Sequence, residues 1–136
     1  MIALAHVGDS RPNLIRSQSL MPLTQDHSLV EDLLARGLIS RDDALNHPRR
    51  NVQIRAVGIA GQVEPDFSTH TLQSGDTLLL CADGLTKMLD ESEILDLVVS
   101  ANGSPEVACR KLVDAANNHG GIDNVTTIVV CQNIGS

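Results

Sequence analysis

Thr77-Leu78-Leu79-Leu80-Cys81 restricts the fold of this chain more than any other segment. Five uncharged residues between Ser74-Gly75-Asp76 and Ala82-Asp83-Gly84 are too few for a buried helix and read as a buried strand. Strand-like runs recur. Ile2 to Val7 stops at Gly8-Asp9-Ser10, Leu14 to Arg16 follows, Phe67 to Thr71 alternates with period two, and Val125 to Cys131 comes last. Val52 to Val57 is compatible with an extended segment. Between these runs the spacing predicts helices. Ser28 and Glu31 form a capping spacing ahead of Leu29, Val30, Leu33 and Leu34, with Gly37 as the stop. Ser40 caps a short helix over Arg41 to Asn46 that Pro48 ends. Asp90 and Glu93 open a helix with a stripe at Ile94, Leu95, Leu97 and Val98, closed by Asn102-Gly103. Ser104-Pro105 opens another, with Ala108, Leu112, Ala115 and Ala116 as its inner face. The expected fold class is α/β, in one compact domain over residues 1–136.

The core of such a chain is aliphatic, because Phe67 is its one aromatic residue besides histidine. A nucleic-acid surface built on stacking is therefore disfavoured, and a formal charge of −7 repels a phosphate backbone. Cys81, Cys109 and Cys131 are widely spaced and sit in apolar or helical surroundings, which argues for reduced thiols over a disulfide framework or zinc knuckle. No apolar run approaches the roughly 20 residues a membrane helix needs, and the start does not read as a secretory signal. The cytoplasm is the expected compartment, with neither membrane nor nucleic acid as partner.

Three aspartates stand at comparable places: Asp9 after the first strand, Asp83 after Thr77 to Cys81, and Asp123 ahead of the last strand. Small neighbours let the backbone turn sharply and let a hydrated cation approach. Hard oxygen ligands suit Mg²⁺ or Mn²⁺. Taken singly, an aspartate beside a glycine at a strand end is most often a turn or a cap. His6, His27 and His47 share no metal-ligand spacing and read as surface or hydrogen-bonding histidines. Ser10 lacks a nucleophile elbow, Cys81 lies within an apolar run, and neither GxGxxG nor GxxxxGK[ST] occurs.

Five stretches in order, His6-Val7-Gly8-Asp9-Ser10-Arg11, Leu23-Thr24-Gln25-Asp26-His27-Ser28, His47-Pro48-Arg49-Arg50-Asn51, Cys81-Ala82-Asp83-Gly84-Leu85-Thr86 and Gly121-Ile122-Asp123-Asn124-Val125-Thr126, resemble the metal-dependent protein phosphatases (PPM, the type 2C serine/threonine phosphatases), bacterial branch. The resemblance runs from about Ile2 to Val130. It implies a pair of β-sheets flanked by helices around a binuclear Mg²⁺ or Mn²⁺ centre, where metal-activated water hydrolyses phosphoserine or phosphothreonine in proteins. By that resemblance Asp83 and Asp123 are ligands of one ion, and Asp9 with Asp83 belongs to a third, weaker site. Gln25 to Asn51 corresponds to the flap beside the active site, with Arg49 and Arg50 as candidate substrate contacts. A phosphoprotein substrate and a cognate serine/threonine kinase are the implied partners.

Ala82 stands where the family commonly has serine, and Pro12-Asn13 where it has a small residue and an aromatic. The Asp-Gly-His-Gly-Gly motif whose aspartate bridges both metals has no match, nor has the phosphate-binding arginine. The resemblance therefore covers the C-terminal half of a catalytic domain, and these residues alone are expected to be weak or inactive. The alternative is a non-catalytic phosphatase-like binding or regulatory module.

Overall fold

The computed structural model describes residues 1–50, 52–57 and 61–132. Asn51, which ends the His47-Pro48-Arg49-Arg50 stretch, lies outside them. In chain order the elements are β1 (Ile2–His6), β2 (Arg11–Arg16), β3 (Ser19–Pro22), α1 (Leu29–Ala35), α2 (Arg41–Leu45), β4 (Asp66–His70), β5 (Thr77–Cys81), α3 (Asp83–Thr86), α4 (Glu91–Val99), α5 (Pro105–Asn118) and β6 (Thr127–Cys131). They form two compact units, one of residues 10–24 with the chain from Thr71 onward, the other of residues 2–9 and 25–70. No helix among the described residues is long and apolar enough to cross a membrane.

The first unit is a four-stranded antiparallel sheet in the order β3-β2-β5-β6, covered by helices. β5 lies inside it, as its apolar run requires, and Leu79 is fully buried. α5 carries Ala108, Leu112 and Ala116 on one buried stripe at helical spacing, and α4 adds Ile94 and Val98. Ile94, Val98, Leu112 and Ala116 join Ile15, Leu79, Leu85 and Leu89 in a core without aromatic rings, to which Cys81 adds its thiol. The caps are the expected ones. Asp90 accepts from the Glu93 N–H at 2.8 Å, and Ser104 accepts from the Val107 N–H with Pro105 in the first turn. At the turn into β5, buried Asp76 takes Arg16 on both carboxylate oxygens, at 2.9 and 2.6 Å, and the Gln73 N–H at 2.7 Å.

Four elements depart from expectation. β2 starts at Arg11, not Leu14, and turns through Ser17 and Gln18 into β3, which has no counterpart in the sequence reading. Both turn residues have positive φ, 50° and 59°, the conformation a two-residue hairpin of this twist demands. The segment after Cys81 is the short helix α3, with Asp83 in its first turn and no turn separating it from the strand beyond Ala82. The last strand begins at Thr127, later than Val125, and leaves residues 120–126 as a connecting loop.

The second unit pairs β1 with β4 antiparallel, His6 facing Asp66 in the register. α1 and α2 pack beside each other. Ser28 caps α1 by accepting from the Glu31 N–H, and Ser40 with Asp43 makes a reciprocal capping box on α2. Val52 to Val57 is not a strand. It contributes a single bridge, Ser28 with Gln53, flanked by Leu29 N–H to the Val52 carbonyl and Ile54 N–H to the His27 carbonyl, each 2.9 Å.

Candidate functional site: two carboxylates on one cation

Strand register brings Asp83 and Asp123 to the same end of the four-stranded sheet. Cys81 pairs with Thr127, and the Ala82 N–H donates to the Thr126 carbonyl at 3.1 Å, so the loop before β6 runs beside the start of α3. Gly84 makes the approach possible, because a Cβ there would lie 2.0 Å from the Asn124 carbonyl oxygen. The carboxylates then converge on one positive charge. Lys87 Nζ lies 3.0 Å from Asp83 Oδ2 and 3.1 Å from Asp123 Oδ2. Asp123 Oδ1 also accepts its neighbour's N–H, from Asn124, at 2.7 Å. That backbone bond first, and the Lys87 contact second, hold the Asp123 carboxyl below the usual carboxylate range. The same two carboxylates, Asp83 foremost, hold the Lys87 ammonium above its ordinary value. Two anionic oxygens already meeting at one cation, half-open to solvent, are a donor set that fits a hard divalent ion.

Asp9 belongs to the other unit, in the turn after β1. Its Oδ2 accepts from Gln53 Nε2 at 2.8 Å. Arg49 and Arg50 are exposed in the turn after α2, where the Arg50 guanidinium donates to the His47 carbonyl at 3.3 Å and the Arg49 N–H to His47 Nδ1 at 3.0 Å.

Sequence spacing treats His6 and His27 as unrelated, whereas β1 and the segment before α1 bring their rings to 4.9 Å, with Asp66 alongside. His6, His27 and Asp66 each offer a ligand atom, all within 4.8 Å of one another. The hydrogen bonds argue against a metal there. The Gly8 N–H donates to His27 Nδ1 at 3.2 Å, so the ring proton sits on Nε2 and is given to Asp66 Oδ2 at 2.5 Å. A metal on Nε2 would expel that proton while Nδ1 stays occupied by a donor, leaving an anionic ring. The group is a hydrogen-bonded pair steadied by Arg55, which lies 3.1 Å from Asp66 Oδ1. The His27 bond, then Arg55, hold the Asp66 carboxyl below its ordinary value. The adjoining cleft of about 190 Å³ includes Glu31, Asp32 and Asp66, but these carboxylates are already bound to Arg41, Arg36 and Arg55.

Comparison with known proteins gives this geometry a context. The family model described as Protein phosphatase 2C matches residues 57–125. The serine/threonine phosphatase stp of Listeria welshimeri is 46% identical over 133 residues, a stretch that takes in 98% of this chain and 52% of that protein. The chain thus spans about half the length of the curated relatives it matches. Among solved structures, the serine/threonine phosphatase of S. agalactiae superposes with a TM-score of 0.88 at 37% identity, covering 95% of this chain and 53% of that one. The catalytic domain of the phosphatase PstP, solved in complex with two manganese ions, matches at 33% identity and a TM-score of 0.77, over 93% of this chain and 51% of that one. With the family match spanning the loop, strand and helices that carry Asp83 and Asp123, this chain belongs to the protein phosphatase 2C family.

Proposed function

We propose that this chain contributes to the centre of a metal-dependent phosphatase acting on phosphoserine and phosphothreonine in proteins. Asp83 and Asp123 would hold one divalent cation, Mn²⁺ or Mg²⁺, and Asp9 would serve a further, weaker one. The observation that carries this is the convergence of the Asp83 and Asp123 carboxylates on Lys87 Nζ. A bound divalent cation supplies water activation and charge neutralisation at the phosphoryl oxygens. The protein's own part is to hold two oxygens at a set separation, Asp83 from the rigid strand-to-helix junction and Asp123 from a loop fixed by its own Asn124 N–H. The cation must compete with Lys87 for both. Arg49 and Arg50, exposed beyond α2, are suited to steering an anionic phosphoprotein by charge, and a serine/threonine kinase is the natural source of such a substrate. None of the three cysteines is in a disulfide, which suits a reducing compartment and a cytoplasmic site of action.

Mn²⁺ titration by calorimetry tests the ligand assignment. Asp83→Asn is expected to weaken binding about tenfold or more, since it removes an anionic oxygen without changing shape, and Asp9→Asn to weaken it less. Lys87→Met is expected to tighten binding, because it removes the competing ammonium. Wild-type affinity in Asp83→Asn would overturn the assignment. Residues 1–136 contain no Asp-Gly-His-Gly-Gly sequence to bridge a second ion. By themselves they are therefore expected to hydrolyse a phosphopeptide slowly or not at all with Mn²⁺. Rapid metal-dependent turnover that Asp83→Asn abolishes would contradict this.

A further inference from the structure

We propose that His27 and Gln53 are positioning residues for Asp9, His27 by holding the Gly8 peptide and Gln53 by holding the carboxylate, and that together they set the affinity of Asp9 for a divalent cation. The proposal rests on Asp9 being a cation ligand, as proposed above.

Gly8 has φ +104°, a conformation that side-chain-bearing residues rarely adopt, and Asp9 is the next residue. His27 grips Gly8 at both polar groups. The Gly8 N–H donates to His27 Nδ1 at 3.2 Å, and the His27 N–H donates to the Gly8 carbonyl at 2.7 Å. Bonds at both groups resist rotation of the turn, so the direction in which Asp9 leaves it is fixed. The grip depends on the tautomer. Only a ring with a bare Nδ1 accepts from Gly8, and Asp66, taking the Nε2 proton at 2.5 Å, selects that form. Protein carboxylates elsewhere select the tautomer of ligating histidines in the same way.

Gln53 acts on the carboxylate itself, its Nε2 donating to Asp9 Oδ2 at 2.8 Å. It sits on the same short ladder as His27, since Ser28 bridges Gln53 and the Ile54 N–H donates to the His27 carbonyl at 2.9 Å. Gln53 Oε1 is buried and meets no hydrogen-bond donor among the described residues. Gln53 thus holds Asp9 Oδ2 from the same short ladder that carries His27.

The test is a Mg²⁺ titration of the ¹⁵N-labelled full chain, read at the amides of Ser10 and Asn124. The Asn124 N–H bonds Asp123 and serves as the internal control. Asp9→Asn is expected to remove the Mg²⁺ response at Ser10. His27→Gln retains a donor toward Asp66 but no acceptor at the Nδ1 position, and Gln53→Ala removes the amide. Each should raise the half-saturating Mg²⁺ at Ser10 about tenfold, the usual cost of losing an outer-shell partner. His27→Asn, whose Oδ1 takes the place of Nδ1, should stay within about twofold of wild type. The Asn124 response should be unchanged throughout. An unaltered Ser10 response in Asp9→Asn would overturn the ligand reading and the inference with it. If Asp9→Asn does remove the response, wild-type behaviour of His27→Gln and Gln53→Ala would overturn the positioning role alone. His27→Asn as weak as His27→Gln, or a parallel loss at Asn124, would count against it as well.

Discussion

Gly84→Ala is expected to destabilise the protein by about 3 kcal/mol, at the upper end of the cost of overpacking, and to weaken Mn²⁺ binding at the same time. A Cβ built on Gly84 lies 2.0 Å from the Asn124 carbonyl oxygen and 2.9 Å from its carbonyl carbon. Both are backbone atoms. A flexible side chain could swing aside, whereas relief here requires the residue 123–124 loop to move off α3. Placing alanine in a helix recovers up to about 1 kcal/mol, which does not offset a clash of that depth. The displaced loop carries Asp123, so the separation of its carboxylate from Asp83 widens as stability falls. Gly61→Ala is the control, because its added Cβ meets nothing within 4 Å and its backbone has no positive φ. It should leave stability within about 0.5 kcal/mol of wild type. Urea unfolding of both variants, paired with Mn²⁺ titration, checks the pair of effects. A loss below about 1 kcal/mol in Gly84→Ala would mean that the loop yields freely, and the close approach would then be no constraint on the site.

Asp76→Ala is expected to cost about 3 kcal/mol at neutral pH. The Asp76 side chain is 2% exposed and Arg16 is 29% exposed, so the pair lies at the edge of the core. The carboxylate accepts two bonds from the guanidinium and one from the Gln73 N–H, and its loss removes all three, leaving Arg16 Nη2 with the Thr71 carbonyl at 3.2 Å. The backbone beside it joins the turn to the residue after β6, with the Gln132 N–H donating to the Asp76 carbonyl at 2.8 Å. Arg16→Met is expected to destabilise as well, since it leaves a buried anion without its counter-charge. The pH dependence has a definite sign. Arg16 foremost, with the Gln73 N–H, holds the folded-state Asp76 carboxyl below its ordinary range. A depressed carboxyl contributes its full stability above the unfolded value of about 3.9 and loses it as pH falls through the folded value. Asp66 and Asp123 are depressed in the same direction. The gap between wild type and Asp76→Ala, measured by urea unfolding, should therefore be constant from pH 6 to 8 and narrow below about pH 4. A gap that widens in acid would contradict the ion-pair account.

Much of the secondary structure was legible because its signals act within a few residues. Ser28, Ser40, Asp90 and Ser104 cap helices where their spacing predicts, each accepting the N–H three residues on. The stripes that face the core, Ile94 with Val98 and Ala108 with Leu112 and Ala116, follow helical period. The apolar run of β5 marked it as buried, and Leu79 and Cys81 are. Where the local signal was atypical the reading failed. Ser17-Gln18 lacks the Asn-Gly or Gly signature of a tight hairpin, so nothing local marks β3, and the helical start at Asp83 has no side-chain cap to announce it.

The chain itself determined which residue types stand at the strand ends, which helices form, and an aliphatic core that excludes aromatic stacking. Tertiary structure alone decided how they are used. The pairing of β5 with β6 carries Asp123 to Asp83, and a missing Cβ at Gly84 lets the loop settle there. The pairing of β1 with β4, together with the turn at Gly8, sets the tautomer of His27, and the bridge at Ser28 puts Gln53 on Asp9. Asp76 reads as an ordinary turn residue until β2 brings Arg16 across from another strand. Caps and periodicity are set by neighbours along the chain, but the charge and proton on a side chain answer to whatever lies within a few ångströms in space, and strand register supplies that.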